Sequence, residues 1–418
     1  MSSKILENVE IVDISAEGKA VAKTNEGMII FVERGVPGDC VDIEVQKKKK
    51  NFAEGTIIAY KKKSEWRTEP FCRHFGICGG CKWQMMSYHA QVMFKQKYVT
   101  DAFERIGKIY PKEILPIVES RTTQHYRNKM EYSFSNNRWL TQDEISSGEK
   151  FERNALGFHI PGRFDKIVDI QTCYLQETIG DEIRNFVRSY ALQHSLEFYD
   201  IKKQTGYLRN MIIRITHTGQ IMLIIVFRKE DKYARIQLLD AIIEKFPHIH
   251  SLQYVINPKV NDTISDLQHT VYYGLGSIGE TMENITYILG PKSFFQTNTL
   301  QAYKLYCIIR EFAQFQGNEI VYDLYTGIGS IALFIAEKVK KVIGVEYIPE
   351  AIEDAKLNAQ SNRIYNTEFF AGDIKDIVTS DFIIFHGKPD VVILDPPRAG
   401  VHENVIRVLL QSRPQKIV

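Results

Sequence analysis

Between residues 319 and 395 the chain alternates two kinds of apolar run, and each run that reads as a strand ends at a carboxylate. The strand "EIVYDLY" precedes the helix "IALFIAEKV", and the strand "KVIGVE" precedes the helix "PEAIEDAKLNAQSN". The strands "TEFFAGD" and "PDVVILD" follow. Strands alternating with helices pack as a parallel sheet covered on both faces. Ligands of such open sheets bind at the carboxyl ends of the strands. Asp323, Glu346, Asp373 and Asp395 are therefore expected beside a ligand.

The loop after the first of these strands is the most informative. In "VYDLYTGIGSIALFIA" (321–336), Gly327 and Gly329 let the backbone approach a ligand where a side chain would collide. Glu346 follows about 20 residues later, the usual place for an acid that takes ribose hydroxyls. Asp373 closes the third strand and is placed to meet a base. The third glycine of a dinucleotide fingerprint is missing, since Ala332 stands there. After the fourth strand, Pro396 and Pro397 stiffen the loop and hold Asp395 at the edge of the sheet.

Upstream the pattern is that of strands. "VEIVDIS", "KAVAKT", "MIIFVE", "DCVDIEV" and "EGTIIAY" are short β-branched runs separated by Gly and Asp. Five such strands suit a small barrel of the oligonucleotide-binding sort. Lys47, Lys48, Lys49 and Lys50 fall at one of its hairpins and Lys61–Lys63 at its exit. Such runs are either solvated loops or a phosphate-contacting surface. Residues 64–120 begin irregular and turn helical at "SYHAQVMFKQKYVTDAFERI". Residues 121–290 read as a second β-rich region, with "MEYSFS", "MIIRIT", "IMLIIVF" and "SLQYVIN" as strands. The domain bounds expected are 1–63, 64–290 and 291–418, with the helix near 88–108 packing on the last domain. Within that domain, "QTNTLQAYKLYCIIREFAQF" reads as a helix with Leu305, Ile308, Ile309 and Phe312 on its apolar stripe.

The N-terminus has no apolar segment of the signal-peptide kind, and no apolar run approaches the ~20 residues of a membrane helix. The reading is a cytoplasmic monomer with no membrane partner. In that compartment cysteines serve as thiols or metal ligands rather than in disulfides. "FCRHFGICGGCKWQ" sets Cys72, Cys78 and Cys81 at C-x5-C-x2-C spacing, and Cys173 is a candidate fourth ligand from a distant strand. Four thiolates suit either Zn2+ or a [4Fe–4S] cluster.

"DLYTGIGS", "SFFQTN" (293–298), "GVE" and "DPPRAG" together resemble the RNA uracil-5-methyltransferases, enzymes that use S-adenosylmethionine (SAM). The N-terminal barrel resembles a TRAM domain. The resemblance implies a Rossmann-like SAM-methyltransferase domain behind a β-rich central domain and an OB-like barrel. It implies that Asp395 orients the uracil and that Gln296, Asp323, Tyr325, Gly327, Gly329, Glu346 and Asp373 hold the cofactor. It also promotes Arg127 and Lys129, in "HYRNKMEYSFS", to RNA contacts, beside Lys47–Lys50. The cysteine spacing is similar to that of the branch carrying [4Fe–4S], which acts on ribosomal RNA. Expected chemistry is a cysteine thiolate adding at uracil C6, which makes C5 nucleophilic. The family's nucleophile and its general base, a glutamate, are expected beyond Val418, so that the 418 residues themselves would not turn over. A tRNA uracil-5-methyltransferase and a non-catalytic RNA-binding iron–sulfur protein are the alternatives.

Overall fold

The computed structural model describes residues 4–24, 26–398 and 400–418. The chain divides into two compact units. One comprises Met1–Thr123 with Asn137–Tyr174, and the other Gln124–Asn136 with Leu175–Val418.

The first unit opens with strands β1 (Lys4–Ile14), β2 (Ala20–Lys23), β3 (Ile29–Val32), β4 (Cys40–Lys48) and β5 (Phe52–Lys62), closed into a barrel in the order β1-β2-β3-β5-β4. Alternation along each strand sends Val9, Ile11, Ala22, Ile30, Val41, Ile43 and Ala53 inward as its core. The lysine run Lys47–Lys50 sits exposed at the β4–β5 hairpin, and Lys49 lies 4.9 Å from the centre of the Phe52 ring. Helix α1 (Tyr88–Asp101) starts where Ser87 caps it, its hydroxyl accepting from the Ala90 amide at 3.4 Å. This helix, expected against the methyltransferase domain, buries Ala90 and Phe94 with Val36, Met85 and Met86 of its own unit.

After β6 (Lys129–Ser135), which belongs to the second unit, the first unit adds helix α2 (Gln142–Ser147) and the antiparallel pair β7 (Ala155–Ile160) and β8 (Arg163–Asp169). The second unit resumes with α3 (Thr178–Gln193), β9 (Leu208–Ile215), β10 (Ile221–Phe227), α4 (Lys232–Lys245), β11 (Ser251–Ile256) and β12 (Thr270–Gly274). Helices α3 and α4 were not expected in a region read as strands. Strands β12, β11, β10, β9 and β6 lie side by side, with β10 and β11 parallel and the other neighbours antiparallel. Every residue of β9 and β10 is buried, which explains the continuous apolar run of β10, while β9 also buries Arg209, Asn210 and Arg214.

A two-stranded hairpin follows, β13 (Ile278–Met282) and β14 (Ile285–Leu289), and then helix α5 (Thr299–Ala313). The expected stripe on α5 holds only in part. Ile309 is buried, but Leu305 and Phe312 are 43% and 50% exposed, and Ala302, Tyr306 and Ala313 complete the buried face.

The remainder is β15 (Ile320–Leu324), α6 (Ser330–Ile335), β16 (Lys341–Glu346), α7 (Pro349–Ser361), β17 (Thr367–Ala371), α8 (Ile374–Ile377), α9 (Ser380–His386), β18 (Val391–Leu394), α10 (Glu403–Ser412) and β19 (Lys416–Ile417). The five strands are all parallel, in the order β17-β16-β15-β18-β19. One face packs on Ile331, Ile352 and Ala355 of α6 and α7, in a core that continues through Tyr306 and Ile309 to Ile224 and Val226 of β10. The other face packs on Ile374, Val405 and Val408 of α8 and α10. The order reverses between β15 and β18, and at such a switch point the loops leaving two adjacent strands part to form a crevice.

Candidate functional site

The loop Tyr325–Gly329 leaves β15 at that switch point. Its tightness comes from backbone bonds, since the amides of Tyr325 and Thr326 both donate to the Val345 carbonyl, at 2.9 and 3.1 Å. Tyr325 (φ 70°), Gly327 (φ 56°) and Gly329 (φ 77°) all take left-handed backbone conformations. Only for glycine is that free of strain, so Tyr325 is held there by its surroundings. The two glycines differ in their neighbours. A Cβ at Gly329 would meet the Phe369 ring at 3.1 Å and Ala355 at 3.2 Å. A Cβ at Gly327 would meet nothing within 4 Å, so this glycine faces open space. That open backbone at the head of a sheet fits a nucleoside cofactor.

Asp323 does not face that space. It is 1% exposed, and its Oδ2 accepts from the Thr326 hydroxyl at 2.6 Å and from the Ala332 amide at 3.2 Å. Its Oδ1 has no hydrogen-bond partner. Burial pushes this carboxyl up to about 7, and the nearby carboxylates of Asp395 and Glu346 add to the rise. Glu346 accepts from the Gly327 amide at 3.2 Å through one oxygen and from the Ile348 amide at 3.1 Å through the other. Asp373 caps α8 and pairs with Lys375, whose hydrogen bond holds its carboxyl below the usual range. The Tyr325 hydroxyl is shifted up, first by burial.

Asp395 stands after β18 with one side open to solvent. The protein packed on its other side raises its carboxyl, against the lowering effect of a hydrogen bond from the Gln296 amide, Nε2 to Oδ2 at 3.1 Å. Gln296 is presented by the segment 293–298, which is tied down along its length. The Arg214 guanidinium donates to the Ser293 carbonyl at 2.7 Å, and the Ser293 hydroxyl donates to Asp354 at 2.7 Å. The Asn128 amide donates to the Thr297 carbonyl at 2.8 Å, and the Asn128 side chain donates to the Gln296 carbonyl at 2.9 Å. Asn298 ends the segment by capping α5. Between these anchors Phe295 is buried and Phe294 is 68% exposed.

The structure thus brings Gln296, Asp323, Tyr325, Gly327, Glu346 and Asp395 to one end of the sheet. It also adds residues that the sequence did not single out. Asn128 lies between the expected Arg127 and Lys129, and Thr326 lies inside the Gly loop. Tyr287 and Tyr306 both reach Ser330, at 2.9 and 3.0 Å. Asn128 carried a usable signal, because a side chain amide beside two cations in a short polar run is a natural loop anchor. Tyr287 and Tyr306 carried none, since their roles depend on distant partners.

Arg127 and Lys129 are half-buried at the start of β6. The Arg127 guanidinium donates to the Lys129 carbonyl at 3.1 Å. Burial lowers the Lys129 ammonium, and the charges of Arg214 and Arg127 lower it further. In the first unit, burial pushes the Cys78 thiol up to about 11, and the neighbouring Cys81, Cys173 and Cys72 contribute in the same direction. Cys81, Cys173 and Cys72 therefore lie within electrostatic reach of Cys78. Among the described residues, no group of three or more His, Cys, Asp or Glu is arranged to hold a metal ion. No described helix is long and apolar enough to cross a membrane.

The Methyltransferase domain family matches residues 316–412, and the TRAM domain family matches residues 7–58. An uncharacterised RNA methyltransferase of Bacteroides thetaiotaomicron is 51% identical over 97% of this chain and 90% of its own length. Another, of Porphyromonas gingivalis, is 50% identical over 98% of this chain and 89% of its own. The crystal structure of Pyrococcus abyssi tRNA (uracil-54, C5)-methyltransferase in complex with S-adenosyl-L-homocysteine (SAH) superposes with a TM-score of 0.73 at 25% identity, covering 99% of this chain and 89% of that one.

Proposed function

The chain belongs to the RNA methyltransferases, and we propose that it serves the methylation of a uridine at C5 in ribosomal RNA, with SAM as donor. The observation that carries this is the Gln296–Asp395 pair at 3.1 Å, a fixed amide beside a fixed carboxylate at the mouth of the Gly loop. Uracil offers an N3–H donor flanked by two carbonyl acceptors. A carboxylate accepts from N3–H while an amide N–H donates to the adjacent carbonyl. Cytosine presents an acceptor at N3 and a donor amine at C4, and both would oppose this arrangement. A target inside folded RNA must first leave its stack, and the half-buried cations Arg127 and Lys129 are suited to its phosphates.

SAM supplies a methyl group on a sulfonium. The chain's contribution is to hold it along Gly327 with Glu346 and Asp373 at the sugar and base, and to hold the pyrimidine edge at Asp395. For Cys72, Cys78, Cys81 and Cys173 the proposal is a structural [4Fe–4S] cluster, with Zn2+ as the alternative. Its support is the C-x5-C-x2-C spacing with Cys173 in the same unit, and iron and sulfide assays after anaerobic purification test it.

The tRNA reading is the second one, and the observation favouring it is the likeness to the archaeal tRNA enzyme over nearly the whole chain. The cysteine set favours ribosomal RNA. Mapping 5-methyluridine after deletion of the gene separates them. Loss of one ribosomal position is the expected result, loss from tRNA selects the second reading, and no loss anywhere sinks both.

A further inference from the structure

The loop presenting Gln296 is held at both ends by one buried acid. Glu280, on β13, is fully excluded from solvent. Its Oε2 accepts from the Thr299 hydroxyl at 2.8 Å, and the Thr299 oxygen in turn accepts from the Asn128 side chain at 2.9 Å. Asn128 is the residue that holds the Gln296 carbonyl. A hydroxyl has one proton to donate, and here it goes to the carboxylate. Thr299 is thus left with its lone pairs toward Asn128, and the Asn128 amide has a fixed orientation.

Glu280 supports the other end of the loop by charge. Arg214, almost wholly buried, bonds the carbonyls of Ser293 and Gly290 at 2.7 and 3.4 Å. Burial pushes its guanidinium down to about 10, and the charges of Asp354 and Glu280 oppose that fall. The remaining lone pairs of Glu280 are satisfied by the amides of Thr281 and His217, at 3.1 and 3.2 Å, and by the His217 ring. A buried carboxylate with this many donors is a rigid fixture, because losing any partner leaves a charge unpaired in a dry site.

We propose that Glu280 is a positioning residue for base recognition, setting through Thr299 and Asn128 the height at which Gln296 meets Asp395 and the uracil edge. This rests on the proposed uracil specificity. Neither Glu280 nor Thr299 reaches the crevice, and both act through the loop. A shift of the Gln296 carbonyl by a few tenths of an ångström misaligns an amide whose hydrogen bond to Asp395 is already 3.1 Å long.

The test uses the 418-residue chain saturated with SAH. Its probes are two short single-stranded RNAs that differ only in one central uridine or cytidine. The variants are Thr299→Val, nearly equal in volume and unable to bridge, its rescue Thr299→Ser, and Glu280→Gln. Wild type is expected to prefer the uridine strand by about tenfold, the scale of one well-made hydrogen bond. Thr299→Val is expected to erase that preference while its SAH affinity stays within about twofold and its thermal melt stays cooperative, and Thr299→Ser is expected to restore it. Glu280→Gln serves as confirmation where it folds. A Thr299→Val protein that keeps the full preference overturns the inference and leaves the functional reading standing. A wild-type chain that binds SAH but shows no preference overturns the functional reading, and the inference with it.

Discussion

Gly327 and Gly329 share a motif and a left-handed backbone, yet they do different work. At Gly329 an added methyl collides with Phe369 and Ala355, so Gly329→Ala should lower stability by about 2 kcal/mol or more in urea titrations. At Gly327 the methyl enters open space, so Gly327→Ala should cost only about 1 kcal/mol of backbone strain. Its larger effect should appear as weakened SAH binding by calorimetry. Equal effects of the two variants on SAH affinity would contradict the assignment of the open side to the cofactor. Asp323 offers a pH test. Its carboxyl sits at about 7 in the fold against an ordinary value of 3.8. Between those values the folded state binds more protons than the unfolded state, so this group makes stability fall as pH rises through that window. Asp323→Asn should flatten that part of the stability–pH curve, read by urea unfolding at intervals from pH 4 to pH 8. The sequence placed Asp323 at a strand end correctly. It could not say that the side chain turns inward, because that depends on Thr326 and Ala332 closing over it.

The helix α5 shows the same division between a legible element and an illegible face. Its existence follows from periodicity and from the Asn298 cap. The face it buries does not, because large apolar residues occur all around it: Leu305 and Phe312 point outward while the small Ala302 and Ala313 point in. A close approach to neighbouring elements selects small residues, so a stripe chosen by side-chain size catches Ile309 but adds Leu305 and Phe312 from the exposed side. Ile309→Ala should therefore destabilise by about 2–4 kcal/mol, and Leu305→Ala by about 0.5 kcal/mol or less, measured by chemical denaturation. Comparable losses would mean that Leu305 packs as the stripe read from sequence has it. Helices α3 and α4 were missed because the apolar runs 211–213 of β9 and Ile221–Phe227 of β10 dominate the local pattern. The hairpin β13–β14 joins base and cofactor sides as an element: Glu280 lies on one strand, and Tyr287 on the other donates to the Ser330 carbonyl at the start of α6.

The whole molecule pairs a TRAM barrel with a methyltransferase sheet. The exposed run Lys47–Lys50 at a barrel hairpin should supply affinity without sequence preference. Replacing these four lysines by alanine should weaken RNA binding. Its logarithmic salt slope should become shallower by about 0.7 for each single-strand phosphate that the lysines had neutralised. The uridine-over-cytidine preference should stay unchanged, as read by filter binding across a salt series. A changed preference would mean that the barrel reads bases. Taken alone, the amino-acid sequence determined the barrel, the parallel sheet with its acid-ended strands, and the Gly loop. These are set by side-chain periodicity and by backbone freedom over a few neighbouring residues. Only the tertiary structure decided which carboxylates face the crevice and which brace it, that Asn128 holds Gln296, and that a buried Glu280 stands behind both. Those contacts join residues up to 171 positions apart. A hydrogen bond over that separation leaves no local pattern, since its partners meet only after the chain has folded.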